Sequence, residues 1–102
     1  MSTDQIENLR SQINTINEQI ITLIAKRKKK AKKIGRLKRM HDIDTYQPNR
    51  EKQVLSQCCT QAEKANLDTK KVEAIFEQII ALCRNVQLED TNGENNCIMT
   101  NK

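Results

Sequence analysis

Two cations stand where a helical stripe calls for aliphatic side chains. Ile6, Leu9, Ile13, Ile16, Ile20, Leu23, Arg27, Ile34 and Lys38 step by threes and fours, or by sums of them, along one face. A buried, unpaired guanidinium or ammonium costs several kcal/mol, so Arg27 and Lys38 must meet water, a carboxylate or an anionic ligand. Eleven residues separate them, about 20° around a helix axis and about 16 Å along it, so they can reach the two ends of one small molecule.

Further polar residues interrupt apolar stripes downstream: Glu51 with Arg50 beside it, and Gln87. Guanidiniums grip carboxylates bidentately, so Arg27, Arg50 and Lys38 suit a ligand with more than one carboxylate. Glu51 would repel such groups and fits a hydroxyl donor instead. Gln87 can donate to an ether or carbonyl oxygen without titrating. No nucleophile with an adjacent base is apparent, and the single histidine, His41, falls near a helix end. Such a set holds and polarises its ligand. Taken singly, each residue has a plainer reading: Arg27 and Lys38 as snorkelling surface residues, Glu51 as a complement to a helix dipole, Gln87 as a fraying end.

The elements that must position them are helices. The chain has 102 residues, one proline, two glycines, 36% hydrophobic residues and 2% aromatic residues, a composition for one domain of Ile- and Leu-packed helices. A first helix is expected from Ser2 or Thr3 to about Met40. A second should run from Pro48 to Ala65, with Glu51, Val54 or Leu55, Cys58, Ala62 and Ala65 inward. A third should follow an Asp68 cap and carry Val72, Ile75, Phe76, Ile79, Ile80, Cys83 and Val86 to Gln87. Residues 1–88 form the domain, and the polar, Asn-rich segment 89–102 reads as a disordered tail.

A first helix about 54 Å long cannot be wrapped by a chain of this size. A second copy is the simplest cover, as an antiparallel pair about a two-fold axis near Ile20. Arg10 lies about 25 Å from Arg27 along the helix, too far to share a ligand within one subunit. In such a dimer it would serve the other subunit's pocket.

Charge and cysteine usage narrow the alternatives. The net charge is +5, and ten of the eighteen basic residues fall between Lys26 and Arg39. Lys28, Lys29, Lys30, Lys32 and Lys33 surround the helix without stacking aromatics, which suits a solvated face that attracts an anionic substrate better than a nucleic-acid groove. Cys58, Cys59, Cys83 and Cys97 form no CxxC pair and have no nearby histidine, so neither a zinc site nor any metal is expected, and the thiols read as reduced. No apolar run reaches a membrane span, which points to a cytoplasmic protein.

At these residues the chain resembles the all-α chorismate mutases that form intertwined helical dimers. The resemblance covers Ile6 to Gln87. It is carried by Glu7-Asn8-Leu9-Arg10, by Leu23-Ile24-Ala25-Lys26-Arg27, by Ala31-Lys32-Lys33-Ile34-Gly35 leading to Lys38, by Arg50-Glu51, and by Ile75-Phe76 through Ile79-Ile80 to Gln87. It implies a cofactor-free Claisen rearrangement of chorismate to prephenate on the route to phenylalanine and tyrosine. Arg10 of the partner subunit, Arg27 and Arg50 would hold the two carboxylates. Lys38 and Gln87 would donate to the ether oxygen, and Glu51 would accept from the ring hydroxyl. Two positions depart from the family: Gln47 replaces an aspartate that would cap the helix and accept from the substrate, and Cys83 replaces a small, often hydroxylated residue. The same fold and cations would also serve a lyase that eliminates pyruvate from isochorismate. A basic nucleic-acid-binding module and, given Gln47, an inactive regulatory subunit are the readings from other classes.

Overall fold

The computed structural model describes the backbone of residues 2–100 and the side chains of residues 3–88. Three helices follow in order: α1, Ser2–Met40; α2, Pro48–Lys64; and α3, Thr69–Thr100. All three begin within a residue or two of the sequence expectation, and no strand occurs among the described residues. The backbone of α3 is helical through a segment expected to be a polar tail. The expectation of disorder there concerns residues whose side chains, Cys97 included, lie outside the described set.

The helix ends follow from local chemistry. Asp68 caps α3 by accepting the Lys71 backbone N–H on Oδ1 at 3.2 Å. Proline opens α2, but Gln47 at its N-cap makes no side-chain capping bond. Both α1 and α2 close in Schellman turns. In the first, Ile43 N–H donates to the Lys38 carbonyl at 2.7 Å and Asp42 N–H to Arg39 at 3.3 Å. In the second, Leu67 N–H donates to Ala62 at 2.9 Å and Asn66 N–H to Glu63 at 3.1 Å. Each turn needs one left-handed residue, and here these are Asp42 (φ 57°) and Asn66 (φ 59°), two of the few side chains that tolerate it.

The helix α3 packs on both α1 and α2, which do not pack on each other. The buried residues are Ala31, Ala62, Ile80, Cys83, Val86 and Gln87, joined by Gly35. This core is small and lies at the C-terminal half of α1. Among the described residues nothing buries the stripe on the N-terminal half of α1: Ile6, Leu9, Ile13, Ile16, Ile20 and Leu23 remain 46–62% exposed. The radius of gyration, 18.2 Å, exceeds the roughly 13 Å of a compact domain of this length. Burying a side chain of this kind fully contributes about 1.5–3 kcal/mol, so the bare stripe is a large unmet driving force.

Cys58, Cys59 and Cys83 are free thiols, as the sequence implies. Partial burial, followed by the nearby carboxylate Glu73, pushes the Cys59 thiol up, which keeps it in its unreactive protonated form.

Because Asn66 sits in the left-handed region, Asn66→Val should destabilise the protein by about 1–2 kcal/mol, whereas Asn66→Gly should be neutral or mildly stabilising. Urea denaturation midpoints of the two variants against wild type measure this difference.

Candidate active site

A cavity of about 410 Å³ opens where the three helices and the α1–α2 loop meet. From α1 it takes Arg27, Lys30, Ala31, Ile34 and Lys38, at spacings that place them on one face. From the loop come Thr45 and Gln47, and from the first turns of α2 Arg50, Glu51 and Val54. The third helix supplies Ile80, Cys83, Arg84 and Gln87. Seven residues anticipated from sequence are thus brought together: Arg27, Lys38, Gln47, Arg50, Glu51, Cys83 and Gln87. Arg10 is not among them. It is exposed, and its Nη1 pairs with Glu7 at 3.0 Å one turn back on the same helix.

The side chain of Lys38 sits at the centre of this arrangement. Its Nζ donates to the Thr45 carbonyl at 2.8 Å and to Gln87 Oε1 at 3.3 Å. Burial lowers the Lys38 pKa below the ordinary lysine value of 10.5, and the Glu51 carboxylate partly offsets that shift. Gln87 is only 8% exposed. With its Oε1 accepting from the ammonium, Gln87 has its amide nitrogen as its donor group.

Close approach of α1 and α3 makes this contact possible. A Cβ at Gly35 would stand 3.0 Å from Gln87 Cγ and 3.4 Å from its Cα. The one glycine of α1 therefore lies against α3, and its missing side chain is the space Gln87 occupies.

Sequence reasoning missed Arg84. Its Nε donates to Glu51 Oε2 at 2.9 Å and its Nη2 to Glu51 Oε1 at 3.1 Å, a side-on pair. The guanidinium carbon lies 5.2 Å from the centre of the Tyr46 ring. Hydrogen bonding to Glu51 holds the Arg84 pKa further above its already high ordinary value. The signal was present in the spacing, since Arg84 follows Ile80 by four and precedes Gln87 by three, on the stripe that carries both. Thr45 was invisible because it contributes a backbone carbonyl. Lys30, assigned to the solvated face, also lines the cavity while remaining exposed.

Five cations and one carboxylate surround walls of Ala31, Ile34, Val54 and Ile80. Such a site takes a compact molecule with an apolar body, more than one anionic group and a hydroxyl. Lys38 and Gln87 lie side by side in the cavity wall.

Residues 9–88 match the family described as chorismate mutase type II. The T-protein of Haemophilus influenzae is 29% identical over 77 residues, 76% of this chain and 20% of that protein. A bifunctional chorismate mutase/prephenate dehydratase of Stutzerimonas stutzeri is 29% identical over 85 residues, covering 78% and 23%. The chain thus spans about a fifth of the length of these relatives.

Gly35→Ala should destabilise the protein by about 1 kcal/mol net. Crowding of Gln87 costs roughly 1–3 kcal/mol and outweighs the helix-propensity gain of about 1 kcal/mol. A rise in the thermal or urea midpoint would contradict the close-packing account.

Proposed function

The chain belongs to the chorismate mutase type II family, and on that premise we propose that it rearranges chorismate to prephenate, as a homodimer in the cytoplasm. The observation that carries this reading is the juxtaposition of Lys38 and Gln87 at 3.3 Å in a cation-lined cavity. Within chorismate, one ether C–O bond breaks as one C–C bond forms, so the enzyme needs no nucleophile, base or leaving group. It must select the folded conformer and stabilise the oxygen that gains charge. Arg27 and Arg50 grip carboxylates of the substrate, Lys38 and Gln87 donate to the ether oxygen, and Glu51 accepts from the ring hydroxyl. The small residue Cys83 completes the wall beside them. Gln47 lacks the anionic acceptor that an aspartate would offer, which weakens ground-state binding and leaves the ether-oxygen contacts intact. No helix among the described residues is long and apolar enough to cross a membrane.

The uncovered stripe of α1 supports the dimer. An antiparallel pairing about Ile20 sets Arg10 of the partner subunit opposite Lys30, which lines the cavity. It also lays the acidic end of α1, with Asp4 and Glu7, against the partner's basic run. Each site is then completed in trans by Arg10.

Incubation with chorismate should yield prephenate, and Lys38→Ala should lower turnover by a factor of about 100–1,000 or more. Conversion of isochorismate to salicylate and pyruvate, with chorismate left intact, would overturn the assignment. Activity needs the Lys38 ammonium, and burial lowers its pKa, so turnover should fall on the alkaline side below pH 10.5. The same shift destabilises the fold while the buried amine is charged. That cost is present below the folded pKa and is relieved as pH rises toward 10.5, because the unfolded chain then binds more protons.

A complementation experiment tests the trans site. Arg10→Ala and Lys38→Ala homodimers should each be nearly inactive, and co-refolding them should restore up to roughly a quarter of wild-type turnover, since each mixed dimer keeps one intact site. A mixture as inactive as its components would refute it.

A further inference from the structure

Arg84 is a cation on a cavity-facing stripe whose charge the reaction above does not use. Its guanidinium touches two things at once, the Glu51 carboxylate and the face of Tyr46. Glu51 lies in the first turn of α2, and Tyr46 belongs to the loop that carries Gln47 and leads into that turn. From α3, one side chain therefore fixes both the acceptor carboxylate and the strand of chain leading to it.

The geometry of the pair matters more than its charge. A side-on guanidinium occupies one acceptor site on each carboxylate oxygen and fixes the carboxylate plane. About two of its four lone-pair positions remain for a hydroxyl. The side chains are 34% and 23% exposed, so the pair is partly shielded from solvent and is held more firmly than an ordinary surface ion pair. Glu51 also interacts electrostatically with Lys38. Without Arg84, the carboxylate would be drawn toward the ammonium, and Lys38 would be diverted from Gln87 and from the substrate oxygen.

We propose that Arg84 is a positioning residue that holds the Glu51 carboxylate, and through Tyr46 the α1–α2 loop, in the geometry the rearrangement requires. This rests on the chorismate mutase reading, and two readouts separate the failure of one from that of the other. The first is a double-mutant cycle on chorismate with Arg84→Gln, Glu51→Gln and both together. Arg84→Gln should lower kcat/KM about tenfold in the wild-type background and by less than about twofold when Glu51 is already glutamine, because Arg84 acts through it. Arg84→Lys, which keeps the charge but not the two-point grip, should recover only part of the loss. An equal loss in both backgrounds, or no loss at all, would overturn the proposal.

The second readout needs no substrate. The chain has one tyrosine and no tryptophan, so its tyrosine emission reports Tyr46 alone. Arg84→Gln and Glu51→Gln should each change the intensity of that emission in the same direction, and the double variant no further. If Glu51→Gln leaves it as in wild type, Glu51 does not hold Arg84 over the ring and the proposal fails. A wild-type protein that leaves chorismate unchanged would instead overturn the functional reading, and the emission experiment would still decide the role of Arg84.

Discussion

The Lys38 ammonium is the interaction on which the rest of the site depends. It lies on α1, donates to the loop at Thr45 and to α3 at Gln87, and interacts electrostatically with Glu51 on α2. Removing a charge from water is costly, so a partly buried ammonium enforces the approach of groups that can satisfy it. Three helices and a connecting loop converge on one nitrogen. The Schellman turn at the end of α1 begins at the Lys38 carbonyl, so the same residue also shapes the loop whose Thr45 carbonyl its side chain holds.

Close packing makes that convergence possible. Ala31 and Gly35 give α1 a shallow face, where Gln87 of α3 packs against Gly35; Ile80, Cys83 and Val86 of α3 are buried with them. Larger residues there would hold Gln87 away from Lys38. The remainder of α1 follows the opposite rule, with large aliphatic side chains that stay about half exposed among the described residues. One helix thus presents two kinds of surface: a small-residue face that meets its own α3, and a bulky apolar stripe left exposed.

Most of the site was legible in the sequence because a cation or amide on an apolar stripe is a local conflict that can be seen without coordinates. Arg27, Lys38, Glu51 and Gln87 each broke such a stripe, and each lines the cavity. Arg84 broke one as well, but Cys83 beside it absorbed the expected inward position, and only the angle at which α3 meets α2 decides that both neighbours face in. Thr45 carried no signal, since its contribution is a backbone carbonyl that every residue possesses. Lys30 was hidden inside a run of lysines whose members differ only in the direction they point.

What the sequence determined by itself was the order of the helices, where each begins, the Asp68 cap, and the side chains that conflict with their stripes, all set by interactions within a few residues. Periodicity and capping are local, and they survive without knowledge of the fold. The tertiary structure decided which conflicts are resolved against one another: that Lys38 meets Gln87, that Gly35 makes room for it, and that Glu51 is held by Arg84 beneath Tyr46. Those pairings join residues up to fifty-two positions apart, Gly35 and Gln87, and their geometry exists only once α3 has packed against both other helices.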